Sequence, residues 1–130
     1  MRHFRRLSAA FLAAGLCMSP AFAMAPTAFT QPAFAATQKA GKPILVEITA
    51  SWCPTCAKQR PILSELFKAP QFKDLVVYSV DFDQQKDVVR DMGAKMQSTL
   101  IVYNGTTEKG RSTGDTNPAS IRALLAKATQ

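Results

Sequence analysis

The chain has 130 residues, and its 16 lysines and arginines against 9 aspartates and glutamates give a formal net charge of +7. This length suits one domain with a modest core. The basic residues are scattered singly over most of the chain, as on an ordinary solvated surface, so the charge argues against a nucleic-acid partner.

The first 23 residues have the pattern of a secretory signal peptide. A basic start, Met1–Arg6, precedes an apolar stretch from Leu7 to Met18, and Ala21-Phe22-Ala23 has the form of a cleavage site. The apolar stretch is shorter than the roughly 20 residues that a membrane span needs, and a retained N-terminal anchor is the alternative. We therefore expect export to the periplasm or a similar compartment, and a mature chain that starts at Met24.

Removal of this segment would change the chemistry that the chain can offer. It would leave 13 basic against 9 acidic side chains, and it would remove His3 and Cys17. The remaining chain has two cysteines and no histidine, which excludes histidine-assisted nucleophilic catalysis and a mononuclear His/Cys metal site within one chain. An exported cysteine pair also meets oxidising conditions, in which disulfides persist.

Residues 24–28 are predicted to form a short N-terminal extension to a domain that spans residues 29–130. The domain begins with a helix whose N-cap is Thr30, since the hydroxyl of threonine can accept a free N–H group of the first turn. Phe29 and Phe34 take the two positions of a hydrophobic staple around this helix start, which fixes the direction from which the chain enters the helix.

Strands and helices alternate along the rest of the domain. Apolar and β-branched runs predict buried strands, and apolar residues at helical spacing predict helices. The Asn104-Gly105 turn makes the last strand an antiparallel partner of the one before it. This order predicts an α/β fold with a mixed central sheet of about four strands and helices on both faces. The predicted strands are Ile44–Thr49, Leu75–Val80, Thr99–Tyr103 and Lys109–Thr113, and the helices are Cys56–Phe67, Gln84–Met92 and one after the Asn117-Pro118 cap.

Cys53 and Cys56 stand between the first predicted strand and the helix that follows it. The start of that helix directs free N–H groups and the positive end of the helix dipole at Cys53, which lowers the pKa of its thiol and favours the thiolate. Only two residues separate the cysteines, so both sulfurs lie within disulfide reach across the first turn. This geometry suits reversible dithiol–disulfide exchange. A purely structural disulfide is the alternative, although so short a loop constrains the unfolded chain very little.

A set of motifs extends over nearly all of residues 26–130. The set comprises Ala50–Cys56, Pro61 five residues after the second cysteine, Gly93, the segment Gln97–Tyr103, the Asn104-Gly105 turn and Gly114. In these motifs the chain resembles the thioredoxin family. The resemblance implies a thioredoxin-like fold and thiol–disulfide oxidoreductase activity, in which Cys53 is the exposed thiolate that attacks the substrate and the deeper Cys56 resolves the mixed disulfide.

Glu47 interrupts the otherwise apolar strand before the cysteines. It matches a position where the thioredoxin family often keeps a buried acid beneath the second cysteine. Burial would raise the pKa of Glu47 towards neutrality and let it take the proton from Cys56 as that thiol attacks. The alternative is a glutamate that faces water on a half-exposed strand.

The resemblance also assigns residues to the substrate groove and to the tuning of the redox potential. Trp52 is expected to shield the sulfurs and offer apolar surface to substrates, while Pro54 and Thr55 tune the potential. Ser98 stands where the family has a cis-proline, and a cis bond before a non-proline residue costs about 3 kcal/mol, so Gln97–Ser98 is expected to be trans. The groove beside the sulfurs should then be wider and more polar, and the sulfurs more open to metals.

These observations predict an exported thiol–disulfide oxidoreductase that uses the Cys53–Cys56 pair and no cofactor. Without a histidine in the loop between the cysteines, its potential should be reducing to intermediate rather than strongly oxidising. Its expected partners are cysteine-containing exported proteins and a possible membrane electron donor, and it should act as a monomer. The alternatives are a metal- or iron–sulfur-binding dimer that joins two such cysteine pairs, and a redox-inactive binding module with the same fold.

Overall fold

The structure, a computed structural model, describes residues 24–130, so the predicted signal peptide over residues 1–23 lies outside the described residues. Within residues 24–130, no helix is long and apolar enough to cross a membrane. The helices and strands in chain order are β1 (Thr27–Ala28), α1 (Gln31–Lys39), β2 (Pro43–Thr49), α2 (Pro54–Leu66), β3 (Val76–Asp81), α3 (Lys86–Asp91), β4 (Thr99–Asn104), β5 (Thr107–Thr113) and α4 (Pro118–Ala128), with a short 3₁₀ turn at Pro70–Phe72.

The predicted α/β architecture is confirmed, and the predicted elements are present with ends shifted by at most two residues. The sheet has five strands rather than about four, in the order β1-β3-β2-β4-β5. The additional strand, β1, lies within the predicted extension 24–28 and pairs in parallel with β3 at Tyr78 and Ser79. The central strand β2 runs parallel to β3 and antiparallel to β4, and β5 completes a hairpin with β4.

The central strand β2 separates two core layers because successive side chains of a strand point to opposite faces. Ile44, Val46 and Ile48 pack with buried side chains of α1 and α3, whereas Leu45 packs with those of α2 and α4. Glu47 stands two residues after Leu45 and shares its face of the strand. The strand therefore directs its carboxylate to the face that is covered by α2, the helix that carries both cysteines.

The predicted start of α1 is confirmed in detail. The N-cap residue is Thr30, whose hydroxyl accepts the N–H of Ala33 at 3.4 Å. The rings of Phe29 and Phe34 lie 5.2 Å apart between centroids, as the predicted staple requires. The helix is thereby anchored against the sheet, because both rings also lie within 6.0 Å of the ring of Tyr78 on β3.

Candidate active site

The two cysteines lie where the chain passes from the central strand β2 to α2. Cys53 is the N-cap residue of α2, and Cys56 lies in the first turn of that helix. The two form a disulfide with their Cα atoms 5.3 Å apart. The backbone N–H of Cys56 donates to Sγ of Cys53 at 3.0 Å. A hydrogen bond to a sulfur at the positive end of a helix stabilises negative charge there, so the geometry favours a thiolate at Cys53 over one at Cys56.

The predicted difference in exposure between the two cysteines is wrong for this disulfide form. The prediction is an exposed Cys53 and a buried Cys56, but the two are 2% and 3% exposed. The cause is a tight turn in which the N–H of Cys53 donates to the carbonyl of Ala50 at 3.2 Å. This turn folds Cys53 back, so that Ala50 and the cysteines form one buried cluster against Phe82. What distinguishes the two sulfurs is therefore the hydrogen bond and not their exposure.

The surface around the disulfide is partly apolar. Trp52, which precedes Cys53, is 55% exposed, and its Nε1–H donates to the carboxylate of Asp83 at 2.7 Å. Pro54 is exposed and Thr55 half-buried at the start of α2. A largely exposed indole that is held by this hydrogen bond, one residue before Cys53, suits the contact with substrates that is predicted for Trp52.

Glu47 lies half-buried on the face of the sheet that α2 covers, between the predicted buried acid and the alternative of a water-facing glutamate. Burial raises the pKa of Glu47 to about 7, and the positive charge of Arg60 on α2 opposes this rise. Glu47 and Arg60 line a cavity of about 220 Å³, together with Ser64, Ser79 and apolar side chains. A carboxyl group with a pKa near neutrality can both accept and return a proton at physiological pH.

A second, much smaller cavity connects Glu47 with the redox pair. Its volume is about 10 Å³, and Glu47 and Cys56 both line it, together with Gln59 and Arg60. This volume is close to the minimum that holds one water molecule. Glu47 and Cys56 therefore border the same small space, which is about large enough for one water molecule between them.

The loop before β4 has an unusual backbone at Ser98. Residues 24–130 contain no cis peptide bond, which confirms the predicted trans Gln97–Ser98 peptide. Ser98 is the one residue other than glycine in this part of the chain with a positive φ, at 60°. Its carbonyl accepts the N–H of Gly114 at 3.0 Å, and it is 4% exposed.

Two expectations about the groove beside Ser98 are corrected by this conformation. The Ser98 hydroxyl donates to the carbonyl of Gln97 at 2.5 Å, and the buried residue adds little polar surface to the groove. In the disulfide form the sulfurs are also not open to metals, because Cys53 and Cys56 are both buried. A proline has φ near −65° and cannot enter this loop as it stands. A cis-proline would therefore require a different loop.

No group of three or more histidine, cysteine, aspartate or glutamate side chains is arranged to hold a metal ion within residues 24–130. The two sulfurs are joined in the disulfide, so in this form neither is a thiolate that could bind a metal. The structure thus offers no support for the alternative of a metal-binding dimer.

One buried polar residue near the cysteines is absent from the predicted site. Gln59 is 4% exposed and lies on the same stripe of α2 as Cys56, Leu63 and Leu66. The stripe has the spacing of a core-facing helix surface, on which a glutamine is out of place. That mismatch is a signal in the sequence that could have identified it.

Comparisons with known proteins agree with this geometry. The thioredoxin family model matches residues 25–127. A thioredoxin of Aspergillus fumigatus is 25% identical over 88 residues, which are 68% of this chain and 79% of that protein. An H-type thioredoxin of Brassica campestris is 30% identical over 95 residues, 73% of this chain and 75% of that protein.

A similar solved structure is that of Trxlp from Edwardsiella tarda, with a TM-score of 0.73 and 38% identity over 76% of this chain and 98% of that one. A thioredoxin of Malassezia sympodialis shares the fold at a TM-score of 0.71 with 17% identity, over 82% of this chain and 92% of that one. The chain therefore belongs to the thioredoxin family: it is a thiol–disulfide oxidoreductase whose redox centre is the Cys53–Cys56 disulfide, and, as a thioredoxin, it uses no cofactor.

Proposed function

We propose that this thioredoxin is an exported reductase of cysteine-containing exported proteins, that it acts as a monomer, and that a membrane electron donor returns it to the dithiol form. The observation that supports this chemistry is a difference between the two cysteines of the disulfide, which assigns the attacking and the resolving role. The sulfur of Cys53 is the one that receives a backbone N–H, and the side of Cys56 is the one that faces Glu47.

The reaction begins with the reduced protein. The Cys53 thiolate attacks one sulfur of a substrate disulfide, a mixed disulfide forms, and the other substrate sulfur leaves as a thiolate. Glu47 then takes the proton of the Cys56 thiol, and the Cys56 sulfur attacks Sγ of Cys53. The second substrate thiolate leaves, so the substrate gains two electrons and the protein is left with the Cys53–Cys56 disulfide.

A reducing to intermediate potential follows from the groups around Cys53. Thioredoxin-fold proteins span roughly −270 to −120 mV, and the oxidising end requires strong stabilisation of the reduced form. Pro54 and Thr55 contribute no charge between the two cysteines, and residues 24–130 contain no histidine. The helix start and one N–H bond are then the main groups that stabilise the Cys53 thiolate.

Equilibration of the purified protein with glutathione tests this proposal. We expect the fraction of disulfide to give a potential between about −270 and −180 mV, because the thiolate at Cys53 is stabilised only moderately. A potential near about −120 mV would instead indicate an oxidant. Failure to exchange at all would favour the redox-inactive binding module, and stoichiometric zinc or iron in anaerobically purified protein would favour the metal-binding dimer.

Export is a separate part of the proposal and rests on the pattern of residues 1–23. Two features of the structure support cleavage after Ala23: Met24 already packs against the core, and β1 begins at Thr27. Intact-mass measurement on protein from the periplasm of a bacterial host should show a chain that starts at Met24. A mass that corresponds to the uncleaved chain, or to a start at Ala36, would contradict this part of the proposal.

A further inference from the structure

Gln59 links the helix that carries both cysteines to two separate loops. A buried polar side chain requires hydrogen-bond partners, and Gln59 finds them outside its own helix. Its Nε2 group donates to the carbonyl of Ser98 at 3.2 Å and to the carbonyl of Asp115 at 2.9 Å. Both N–H groups of one side-chain amide are thus used to join α2 to the segment before β4 and the segment after β5.

The segment before β4 lies beside the redox pair. Strand β4 is antiparallel to β2, and Thr99 stands opposite Ile48, at the end of β2 from which the chain continues to Cys53. Ser98 therefore enters the sheet at the cysteine end. Gln59 itself lines the small cavity that Cys56 also lines, and its amide donates to the carbonyl of Ser98 in this loop.

The conformation of Ser98 is one that needs support from its surroundings. A φ of 60° is uncommon for a residue with a side chain, and such backbones persist where neighbouring groups hold them. The Ser98 carbonyl has two donors, the Gln59 amide and the N–H of Gly114 at 3.0 Å. Of these two donors, Gln59 is the one that belongs to α2, the helix that carries the cysteines.

We infer that Gln59 is a positioning residue for protein substrates: it fixes the backbone of Gln97–Ser98 relative to the Cys53–Cys56 pair. This inference rests on the proposed reductase function and deepens it. A protein substrate can pair its own backbone with the part of this loop that reaches the surface, at Met96 and Gln97, as peptides do with exposed strand edges. A small disulfide needs only access to the sulfur, so its reduction does not depend on the loop.

Gln59→Met tests the inference, since methionine is similar in length and shape but has no N–H groups. The matched control is Asn104→Leu, because Nδ2 of Asn104 likewise donates to two backbone carbonyls, those of Ala128 at 2.9 Å and Gln130 at 3.2 Å. Asn104 pairs with Pro43, at the end of the sheet opposite the cysteines. Each variant loses two comparable hydrogen bonds, but only one of them loses a link to the redox site.

The readout is the steady-state reduction of insulin, a protein disulfide, and of hydroxyethyl disulfide, a small one. For Gln59→Met we expect the KM for insulin to rise about fivefold or more with kcat within about twofold, as removal of one positioning hydrogen bond would give. The rate with hydroxyethyl disulfide should stay within about twofold of the unaltered protein. Asn104→Leu should leave the steady-state kinetics with both substrates unchanged.

Two results would overturn the inference and leave Gln59 a structural residue. One is an equal loss of activity with insulin and with hydroxyethyl disulfide in Gln59→Met. The other is an insulin KM that is the same in both variants and in the unaltered protein. If the unaltered protein reduces neither disulfide, the proposed function itself fails. If Gln59→Met does not fold, Gln59→Asn carries the same expectation, because an amide that is one methylene shorter cannot reach both carbonyls. An unchanged insulin KM in Gln59→Asn would then overturn the inference.

Discussion

Cys56→Ser should accumulate mixed disulfides with substrate proteins, and Cys53→Ser should accumulate few. Both variants should lose multiple-turnover activity by on the order of a thousandfold or more, as enzymes do when a residue that forms the covalent intermediate is removed. The reason for the asymmetry lies in the hydrogen bond of 3.0 Å that Sγ of Cys53 accepts from the backbone N–H of Cys56. The bond comes from the main chain, so it survives in Cys56→Ser and the attacking sulfur keeps its stabilised thiolate.

The opposite variant should stay folded, which makes the comparison sharp. Cys53 is the N-cap residue of α2, and serine is among the best N-cap residues, so Cys53→Ser preserves the helix start. Gel electrophoresis without reductant, followed by mass spectrometry of the trapped bands, measures the accumulation. The double variant Cys53→Ser/Cys56→Ser sets the background. Equal trapping by the two single variants would contradict the assignment, because both cysteines are equally buried in the disulfide form.

The parts of the site that the sequence predicts are those that depend on local pattern. The alternation of side chains along β2 determines which face Glu47 occupies, and the two-residue spacing of the cysteines brings their sulfurs together. The helix start at Cys53 follows from the chain order of strand and helix. Each of these features is determined by residues that are close together along the chain, so the sequence alone is enough to predict it.

The parts that the sequence does not predict depend on residues that are distant along the chain. Strand β1 has only two exposed residues and no apolar pattern, and it exists because β3 offers a free edge. The buried cluster of Ala50, Cys53 and Cys56 is also packed by Phe82, which comes from the segment after β3. The backbone of Ser98 is held by Gln59 and by Gly114, which precede and follow it in the sequence. Such tertiary partners leave no periodic signal.

Glu47→Gln should slow the release of mixed disulfides by roughly a hundredfold at neutral pH, the usual contribution of a positioned general base. The substitution keeps the size of the side chain but removes its ability to accept the Cys56 proton. Glu65→Gln is the control, since Glu65 is an exposed glutamate on α2 that pairs with Lys68 on the surface. This step is measured by rapid mixing of the pre-formed mixed disulfide, and the release is followed by tryptophan fluorescence. Trp52, the single tryptophan, lies next to Cys53.

The same residue should give the protein a pH-dependent stability of known sign. Burial raises the pKa of Glu47 from 4.5 to about 7, so between these values the folded state binds a proton that the unfolded state has released. The stability from the neutral carboxyl is therefore fully present below about pH 4.5 and is lost as the pH rises through about 7. Glu47→Gln has no group to ionise, so it should match the unaltered protein in acid and exceed it in alkali, by up to about 3 kcal/mol.

Urea unfolding of both proteins at about pH 5 and about pH 9 measures this difference. In Glu65→Gln the difference from the unaltered protein should be small at both values, because the surface pair with Lys68 contributes little. The two experiments on Glu47 are linked by one cause: the desolvation that costs stability in alkali also holds the pKa where a proton can pass between Cys56 and the carboxylate. If the difference in stability between Glu47→Gln and the unaltered protein does not widen with pH, and the release rates are unchanged, Glu47 is only a solvated strand residue.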